Sequence, residues 1–322
     1  MNWTNLHAKL HKTLRQRQLI PQNIPLLIAV SGGQDSLCLL KLLLDLQPKW
    51  DWQLAIAHCD HRWPTDEGIA DRVVEIARSF KIPIYLKIAE QSIKETEAAA
   101  RKWRYQVLID IAAAEGFEHI VTGHTKTDLA ETLIYNLLRG SGADGMVALN
   151  WQRSLTPQIN LVRPLLDISR RETGEFCQQF DLPIVEDCLN QNLKYSRNRI
   201  RAELIPYLQT HFNPQTESAL ARTAELLRAD VEYLDNEAKK VLERALHCDR
   251  ISLDRVYLRQ IPLALQRRAI AQFLSQLWQK QPSFNQVEAV IDLIDAPNRS
   301  RTSSLTGKSF AEVCGHNITL HV

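Results

Sequence analysis

The sequence predicts an α/β protein in which a parallel-sheet domain precedes a smaller, mainly helical domain. Apolar runs alternate with helical periodicity: the runs end near Val30, His58, Ile88 and Thr122, and the helical stretches cover about 35–46, 66–80, 94–115 and 127–138. Strands that alternate with helices form βαβ units, with a parallel sheet between two layers of helices. After Pro214 helical spacing dominates. We therefore predict a first domain at residues 1–212 and a second domain at 213–322.

Composition limits the classes of protein that are possible. The chain has 322 residues, of which 45% are hydrophobic and 24% charged, as is typical of a globular protein with about two domains. Its net charge of +2 is too small to indicate a polyanion partner, so any nucleic-acid surface must be a local basic patch. The six cysteines include no C-x-x-C pair. This pattern predicts reduced thiols rather than disulfides, an iron–sulfur centre or a zinc site.

The N-terminal segment gives no sign of export. Basic residues and histidines interrupt its leucines, so the apolar core of a signal peptide is missing. No segment approaches the roughly 18 uninterrupted apolar residues of a membrane span. We expect a cytoplasmic protein without a membrane partner.

The first strand leads into a glycine turn and then a helix. Between an apolar run at 26–30 and an apolar helical stretch at 37–44 lies the hexapeptide Ser31-Gly32-Gly33-Gln34-Asp35-Ser36. Paired glycines let the backbone approach a ligand closely, and serine hydroxyls at a helix start suit a phosphate. An ordinary P-loop would place a lysine here. The acidic Asp35 favours a bridging Mg²⁺ instead, although a glycine-rich βα turn without function is the alternative.

Three polar residues fall at the ends of predicted strands. Ligands of parallel sheets bind at the carboxyl ends of the strands, so we predict that the loops of Ser31, His58 and His124 converge on one crevice. The second strand ends in His58-Cys59-Asp60-His61. These histidines either take part in the chemistry or only hydrogen-bond locally, and no second ligand pair indicates zinc.

Two carboxylates stand near the start of the helix that follows the fourth strand. Asp128 and Glu131 are three residues apart, so their side chains share a face of that helix. Beside a nucleotide site, such a pair can hold Mg²⁺, accept a substrate ammonium or take a proton. Acidic residues also stabilise a first helical turn through the helix dipole, which is the purely structural alternative for one of them.

Two basic segments are candidates for contact with phosphates or RNA. The first is a helix that opens at Glu97 and also carries Tyr105, and the second lies near residue 200. Their basic side chains are Arg101, Lys102 and Arg104 in the first, and Lys194, Arg197, Arg199 and Arg201 in the second. Clustered arginines with interleaved aromatic residues suit an RNA backbone and an extruded base. The alternative is a solvated helix face.

The C-terminal part is expected to be helical and to end in a hairpin. Helical spacing covers 215–246, 264–280 and 284–295, and short alternating segments follow Arg301. The stretch Leu305-Thr306-Gly307-Lys308-Ser309 is similar to the end of a phosphate-binding P-loop, but no helical pattern follows it.

Several of these motifs resemble known families. The hexapeptide at 31–36 resembles the PP-loop of the N-type ATP pyrophosphatases, which split ATP between the α and β phosphates and adenylate a substrate oxygen. The block at 123–142, together with Arg163-Pro164-Leu165-Leu166 and the stretch from Glu186 to Arg201, is similar to the lysidine synthase subfamily. That subfamily also has a similar His-x-x-His at 58–61. It continues there with Gly-Leu-Arg, whereas this chain has Arg62-Trp63-Pro64.

The resemblance implies a reaction and its participants. ATP with Mg²⁺ adenylates the carbonyl oxygen at carbon 2 of the wobble cytidine in a CAU anticodon of tRNA(Ile), and the ε-amine of L-lysine displaces AMP. The implied catalytic residues are Asp35, Asp128 and Glu131, with Asp35 also holding Mg²⁺. The implied ATP-binding residues are Ser31, Gly32, Gly33, Gln34, Asp35, Ser36, His58 and His124. Arg101, Arg104, Arg139, Arg197, Arg199 and Arg201 are implied to bind the tRNA.

Two alternatives stay open from the sequence. One is a tRNA 2-thiolation enzyme of the same superfamily, although the iron–sulfur members of that group need cysteine pairs. The other is a non-catalytic module that binds an adenine nucleotide or RNA, against which the combination of Asp35, Asp128 and Glu131 argues. The oligomeric state is also open, with a homodimer as one option.

Overall fold

The computed structural model describes residues 3–147, 149–185, 193 and 195–321. The chain folds into two compact units, residues 1–225 and 226–322. The motif residues Glu186, Asp187, Asn190 and Lys194 lie outside the described residues.

The first unit is built on a six-stranded sheet with the order β3-β2-β1-β4-β6-β5. The first five of these strands run parallel, and the edge strand β5 is antiparallel to β6. The strands are β1 (Pro25–Ala29), β2 (Gln53–Asp60), β3 (Ile84–Ile88), β4 (His119–Thr122), β5 (Gln152–Ser154) and β6 (Asn160–Val162). The predicted parallel sheet is therefore confirmed, with each of the first four strands ending within two residues of its predicted end.

Helices cover both faces of this sheet. They are α1 (Asn5–Arg17), α2 (Gln34–Trp50), α3 (Ile69–Phe80), α4 (Glu97–Glu115), α5 (Lys126–Leu138), α6 (Gly142–Met146), α7 (Arg170–Gln179), α8 (Ser196–Arg199) and α9 (Ile205–His211). A π-helical turn, Ile200–Leu204, joins α8 to α9.

Alternation along β1 divides the core into two layers. Leu26 and Ile28 belong to a large cluster with the leucines of α1 and α2, whereas Leu27 packs with Leu108 and Ala112 of α4 on the other face. A strand with apolar residues on both sides is the expected centre of a parallel sheet. The glycine turn after β1 therefore starts from the middle of the sheet.

The second unit combines helices with a small antiparallel sheet. The long helix α10 (Thr216–Ala245) begins in the first unit and ends in the second. It is followed by α11 (Arg255–Leu258), α12 (Leu263–Trp278) and α13 (Phe284–Ile291), and by β7 (Ser252–Asp254), β8 (Phe310–Cys314) and β9 (Asn317–His321) in the order β7-β9-β8. The predicted terminal hairpin is β8–β9, whereas β7 was not predicted. The predicted boundary at 212/213 stays a prediction, because α10 contributes to both units.

Candidate active site

The carboxyl ends of the parallel strands open into one cavity of about 430 Å³. Ser31 after β1, His58 on β2 and His124 after β4 all line it. The predicted convergence of these three loops is therefore confirmed. Asp35, Asp128 and Glu131 line the same cavity, so the glycine turn and the carboxylate pair face a shared space.

The glycine turn is held open by its own serines. Gly32 has φ +88°, in the left-handed region that favours glycine. The hydroxyl of Ser36 donates to the Gly33 carbonyl at 2.8 Å and accepts from the Ser31 N–H at 3.3 Å. This arrangement places the turn at the N-terminus of α2, where backbone N–H groups lack helical partners and attract anions.

Helix α7, which the sequence did not predict, fixes the next two residues of the turn. The Gln34 amide donates to the Arg170 carbonyl at 2.6 Å and to the Thr173 hydroxyl at 2.8 Å. The Asp35 carboxylate accepts from the Arg170 guanidinium at 2.9 Å and from the Thr173 hydroxyl at 2.5 Å. Arg170 and Thr173 are thus site residues that the sequence reasoning missed. The capping box of Ser169 and Glu172 at the start of α7 was the signal available for that helix.

Gly123 sets the distance between the turn and the end of β4. A Cβ atom at this position would lie 2.9 Å from the carbonyl oxygen of Asp35. That distance is shorter than carbon and oxygen tolerate without a bond, so only glycine fits here unless the backbone moves. His124 and the start of α5 therefore lie directly beside the glycine turn.

The two carboxylates of α5 have different partners. Asp128 accepts hydrogen bonds from the backbone N–H and the hydroxyl of Thr125, at 2.7 and 2.8 Å, and so caps its own helix. Glu131 lies one turn further on and forms a two-point ion pair with Arg201, at 2.5 and 3.0 Å. Arg201 also approaches Asp128, at 3.6 Å. The structural explanation for an acidic first turn therefore applies to Asp128, whereas Glu131 makes no capping bond within the described part of the chain.

The environments of these carboxylates separate their pKa values. Burial raises the pKa of Glu131 to about 7, against the opposing charge of Arg201. Burial also disfavours the carboxylate of Asp128, but the hydrogen bonds from Thr125 and the charge of Arg201 outweigh it and hold the pKa of Asp128 below its usual range. Two carboxyl groups with opposite shifts in one cavity suit different roles, one as a permanent anion and one as a proton acceptor.

Two histidines of the cavity, His58 and His124, are neutral near pH 7. Burial lowers the pKa of both. The Nδ1 atom of His58 lies 2.7 Å from the carbonyl oxygen of Val30 and must donate to it, which leaves Nε2 as an acceptor. His124 places Nδ1 2.9 Å from the Thr122 hydroxyl. His58 therefore forms the expected local hydrogen bond through Nδ1, and its Nε2 is left to accept a hydrogen bond from a ligand.

The loop after β2 accommodates its unusual sequence. Arg62, where the resembled subfamily has glycine, adopts φ 57°, a conformation that costs a non-glycine residue roughly 1–2 kcal/mol. Its N–H donates to the Asp60 carboxylate at 2.7 Å and its guanidinium to the Glu90 carbonyl at 2.9 Å. Trp63 stacks on His61, with ring centroids 4.9 Å apart. These contacts keep the glycine-type turn without the glycine.

The residues expected to bind tRNA lie in three places. Arg104, Arg197 and Arg201 line the cavity, and Arg197 also pairs with Glu97 at 2.6 Å. Arg101 lies over the ring of Tyr105, 5.5 Å from its centroid. Arg139 and Arg199 line a second concavity on the other side of α8.

A buried arginine, Arg163, lies against Tyr105 of the basic helix α4. Arg163 is 1% exposed, and its guanidinium donates to the Asn150 carbonyl at 2.7 Å. Burial would raise the pKa of Tyr105, but the charges of Arg163 and Arg101 outweigh burial and lower it. The sequence singled out Arg163 only as part of a matching block, because burial of a charged residue leaves no local pattern.

The donors of the cavity fit a hard divalent cation. Asp35 and Asp128 both present carboxylate oxygens, the ligand type that Mg²⁺ prefers. Their mutual repulsion contributes to the raised pKa of Asp35, after the larger effect of burial, and a cation between them would relieve it. Arg170 and Thr173 occupy one lone pair on each oxygen of Asp35. A carboxylate oxygen has a second lone pair with which to meet a metal.

Comparisons with known proteins agree with this geometry. Residues 3–208 match the family model of the PP-loop domain, and residues 253–308 match the TilS substrate binding domain. Two curated relatives named tRNA(Ile)-lysidine synthase are similar over nearly the whole chain. The relative from Nostoc sp. is 53% identical and covers 99% of this chain and 98% of its own length. The relative from Synechocystis sp. is 54% identical and covers 98% and 97%.

The fold has a neighbour among solved structures. The U34-tRNA thiolase NcsA from Methanococcus maripaludis, solved with its [4Fe-4S] cluster, superposes with a TM-score of 0.58 at 19% identity, over 69% of this chain and 77% of that one. At this identity the likeness shows a shared PP-loop fold and nothing finer. Within the described residues no helix is long and apolar enough to cross a membrane.

Full-length similarity, the PP-loop turn and the carboxylate pair of α5 lead to the same assignment. The chain belongs to the tRNA(Ile)-lysidine synthase family of ATP-dependent ligases, within the PP-loop superfamily.

Proposed function

We propose that this protein ligates L-lysine to carbon 2 of the wobble cytidine in a tRNA with a CAU anticodon, and that it converts ATP to AMP and pyrophosphate in doing so. The observation that carries the proposal is the placement of Glu131 and Asp128 in the same cavity as the glycine turn. A phosphate-binding turn serves the activation of an oxygen, and a carboxyl group with a pKa of about 7 serves an amine nucleophile.

The turn at 31–36 serves the nucleotide. The N–H groups at the start of α2 and the hydroxyls of Ser31 and Ser36 offer donors to the β and γ phosphates. Asp35 and Asp128 would hold Mg²⁺, which neutralises the charge of the departing pyrophosphate. The neutral His58 offers an acceptor at Nε2, which suits a hydroxyl or amino group of the nucleotide.

Activation of the cytidine needs a leaving group. An amide-like carbonyl oxygen does not leave as such, so its attack on the α phosphate of ATP releases pyrophosphate and makes it part of AMP. The cations of the cavity, among them Arg104 and Arg197, face the space where these phosphates and those of the tRNA would lie. They would stabilise the negative charge that develops there.

The second step needs an amine without its proton. The ε-ammonium of lysine has an intrinsic pKa of about 10.4, so it must lose a proton before its nitrogen forms a bond to carbon 2. Glu131 takes that proton, the bond from carbon 2 to oxygen breaks, and AMP leaves with the oxygen. Asp128 keeps its negative charge and attracts the ammonium. Arg201 contacts both carboxylates, and its ion pair with Glu131 must break when lysine binds.

A direct experiment tests this function. The purified protein is incubated with ATP, Mg²⁺, radiolabelled lysine and a tRNA(Ile) transcript with a CAU anticodon, and label in the RNA is counted. The matched control is the same transcript with a GAU anticodon, which has no cytidine at the wobble position. We expect label in the first RNA only, with one pyrophosphate released for each lysine incorporated. Pyrophosphate release without lysine incorporation would refute the assignment of lysine as the group that is joined to the tRNA.

The 2-thiolation alternative is less well supported. The fold neighbour that carries out thiolation contains an iron–sulfur cluster, whereas this sequence contains no C-x-x-C pair. Of its described cysteines, only Cys59 lines the cavity; Cys38 and Cys177 lie against each other but are buried away from it, and Cys248 and Cys314 belong to the second unit.

A further inference from the structure

A second concavity, of about 580 Å³, opens next to the active-site cavity. It is walled by the end of α5 and by the continuous helical segment formed by α8, the π-helical turn and α9. Its lining residues are Tyr135, Leu138, Arg139, Ser196, Arg199, Ile200, Glu203, Leu204 and Tyr207. We call it the Tyr207 groove. The reaction proposed above uses none of these side chains.

The groove continues the active site along two shared helices. On α5, Glu131 faces the active-site cavity and Tyr135, one turn later, faces the groove. Four residues advance a helix by about 6 Å. On α8, Arg197 lines the cavity and Arg199 lines the groove. Neighbouring nucleotides of a stacked strand are about 3.4 Å apart, and those of an extended strand further. An RNA strand that places one base beside Glu131 therefore reaches the groove with its neighbouring base.

The lining chemistry matches an unstacked nucleobase. Tyr135 and Tyr207 present aromatic rings, and Leu138, Ile200 and Leu204 supply an apolar floor. Single-stranded bases bind by stacking on such rings. Tyr207 is 54% exposed and Leu138 is 71% exposed, which is a cost for a protein that leaves them uncovered. A base laid on them would remove this apolar surface from water.

Charged groups around the groove point to RNA rather than to an apolar peptide. The guanidinium of Arg139 lies 5.3 Å from the ring centroid of Tyr135, and Arg199 is exposed on the other wall. Both can meet backbone phosphates. Glu203 also lines the groove. A carboxylate accepts from the exocyclic amino group of a base, and in a CAU anticodon the adenine that follows the wobble cytidine carries such a group.

We propose that the Tyr207 groove binds a nucleobase adjacent to the wobble cytidine, by stacking on Tyr207 and by phosphate contacts with Arg139 and Arg199. The proposal rests on the proposed function for the position of the cytidine. Removal of the stack should weaken RNA binding by about 5- to 150-fold, the range measured for a base on an aromatic side chain.

The test is a double-mutant cycle between protein and RNA. Binding of a CAU anticodon stem-loop is measured without ATP or lysine, for the parent protein and for Tyr207→Ala, with either the normal loop or a loop that is abasic next to the cytidine, on its 3′ or its 5′ side. Tyr207→Phe is the matched control because it keeps the ring. We expect Tyr207→Ala and one of the two abasic loops each to weaken binding, and their combination to weaken it no further. Tyr207→Phe should bind like the parent.

Other outcomes overturn the proposal. Additive losses for both abasic positions would mean that no neighbouring base contacts Tyr207. Leu138→Glu gives a second, exposed variant, and it should also weaken RNA binding because its charge repels phosphates. If the parent is a dimer that Leu138→Glu converts to a monomer with unchanged RNA affinity, the groove is an interface between two copies. Because lysine incorporation is measured separately, a protein that shows the coupling but incorporates no lysine would refute the proposed function and leave the groove proposal standing.

Discussion

Glu131→Gln tests how the amine of lysine loses its proton. Glu131 is 2% exposed, and its pKa is raised to about 7. If it takes the proton, the reactive pair is ionised Glu131 with the lysine ammonium, the form in which nearly all lysine is present at neutral pH. The parent kcat/KM for lysine should then follow the ionisation of Glu131. With a pKa of about 7, the ionised fraction rises about tenfold from pH 5 to 6 but only about twofold from pH 7 to 8.

The variant must use lysine that has already lost its proton. At pH 7 this fraction is about 1 in 2,500 for an amine with a pKa near 10.4. The expected loss in kcat/KM is therefore up to about 10³-fold, within the range of roughly 10²–10⁴ that general bases contribute. The variant rate should also keep rising about tenfold for each pH unit up to pH 9, because free amine increases in that proportion.

The assay counts labelled lysine in tRNA at saturating ATP from pH 5 to 9. The control is the burst of pyrophosphate from the first turnover at the same pH values, which reports adenylation and should change little in the variant. Glutamine keeps the shape of the side chain, and Arg201 can still pair with Asp128 at 3.6 Å, so the cavity should persist. A variant with the parent profile and the parent rate would refute the role of Glu131.

Three further variants test other parts of the site. Asp35→Asn should abolish pyrophosphate release while the melting temperature changes little, because the neutral amide still hydrogen-bonds to helix α7 but no longer attracts Mg²⁺. Near-normal turnover in Mg²⁺ would contradict the role of Asp35 in holding the metal. Arg199→Ala should reduce the slope of log affinity for tRNA against log salt by about one unit and leave ATP affinity unchanged; an unchanged slope would place the phosphate contact elsewhere. Arg62→Gly should raise the free energy of unfolding by up to about 1 kcal/mol, because it removes the strain of a left-handed conformation at a non-glycine residue. Urea titration measures this change. A clear loss of stability would show that the contact of Arg62 with Glu90 matters more than the strain.

The sequence predicted those parts of the site that depend on local structure. The turn at 31–36 follows directly from one strand and starts one helix, so neighbouring residues define it. The convergence of His58 and His124 with this turn followed from the parallel sheet, because the carboxyl ends of such strands share one edge. Local sequence pattern was sufficient to predict site residues that lie at the end of a strand or at the start of a helix.

Contacts between distant segments were not predictable. Arg170 and Thr173 reach Asp35 from 135 and 138 residues along the chain, and no periodicity relates them. Arg201 was expected to contact tRNA, but the structure places it on Glu131. A guanidinium serves a phosphate or a carboxylate equally well, so only the three-dimensional neighbours distinguish the two. The expectation of tRNA contact for Arg201 stays a prediction.

The close approach of Gly123 to the Asp35 carbonyl has a consequence for how such enzymes diversify. The spacing between the glycine turn and helix α5 is set by two backbones in contact, and side chains on α5 do not determine it. Substitutions on that helix can therefore change which nucleophile is accepted without moving the activated phosphate. A laboratory selection for a new amine nucleophile should accordingly find its mutations on α5 and α8, and should leave position 123 unchanged.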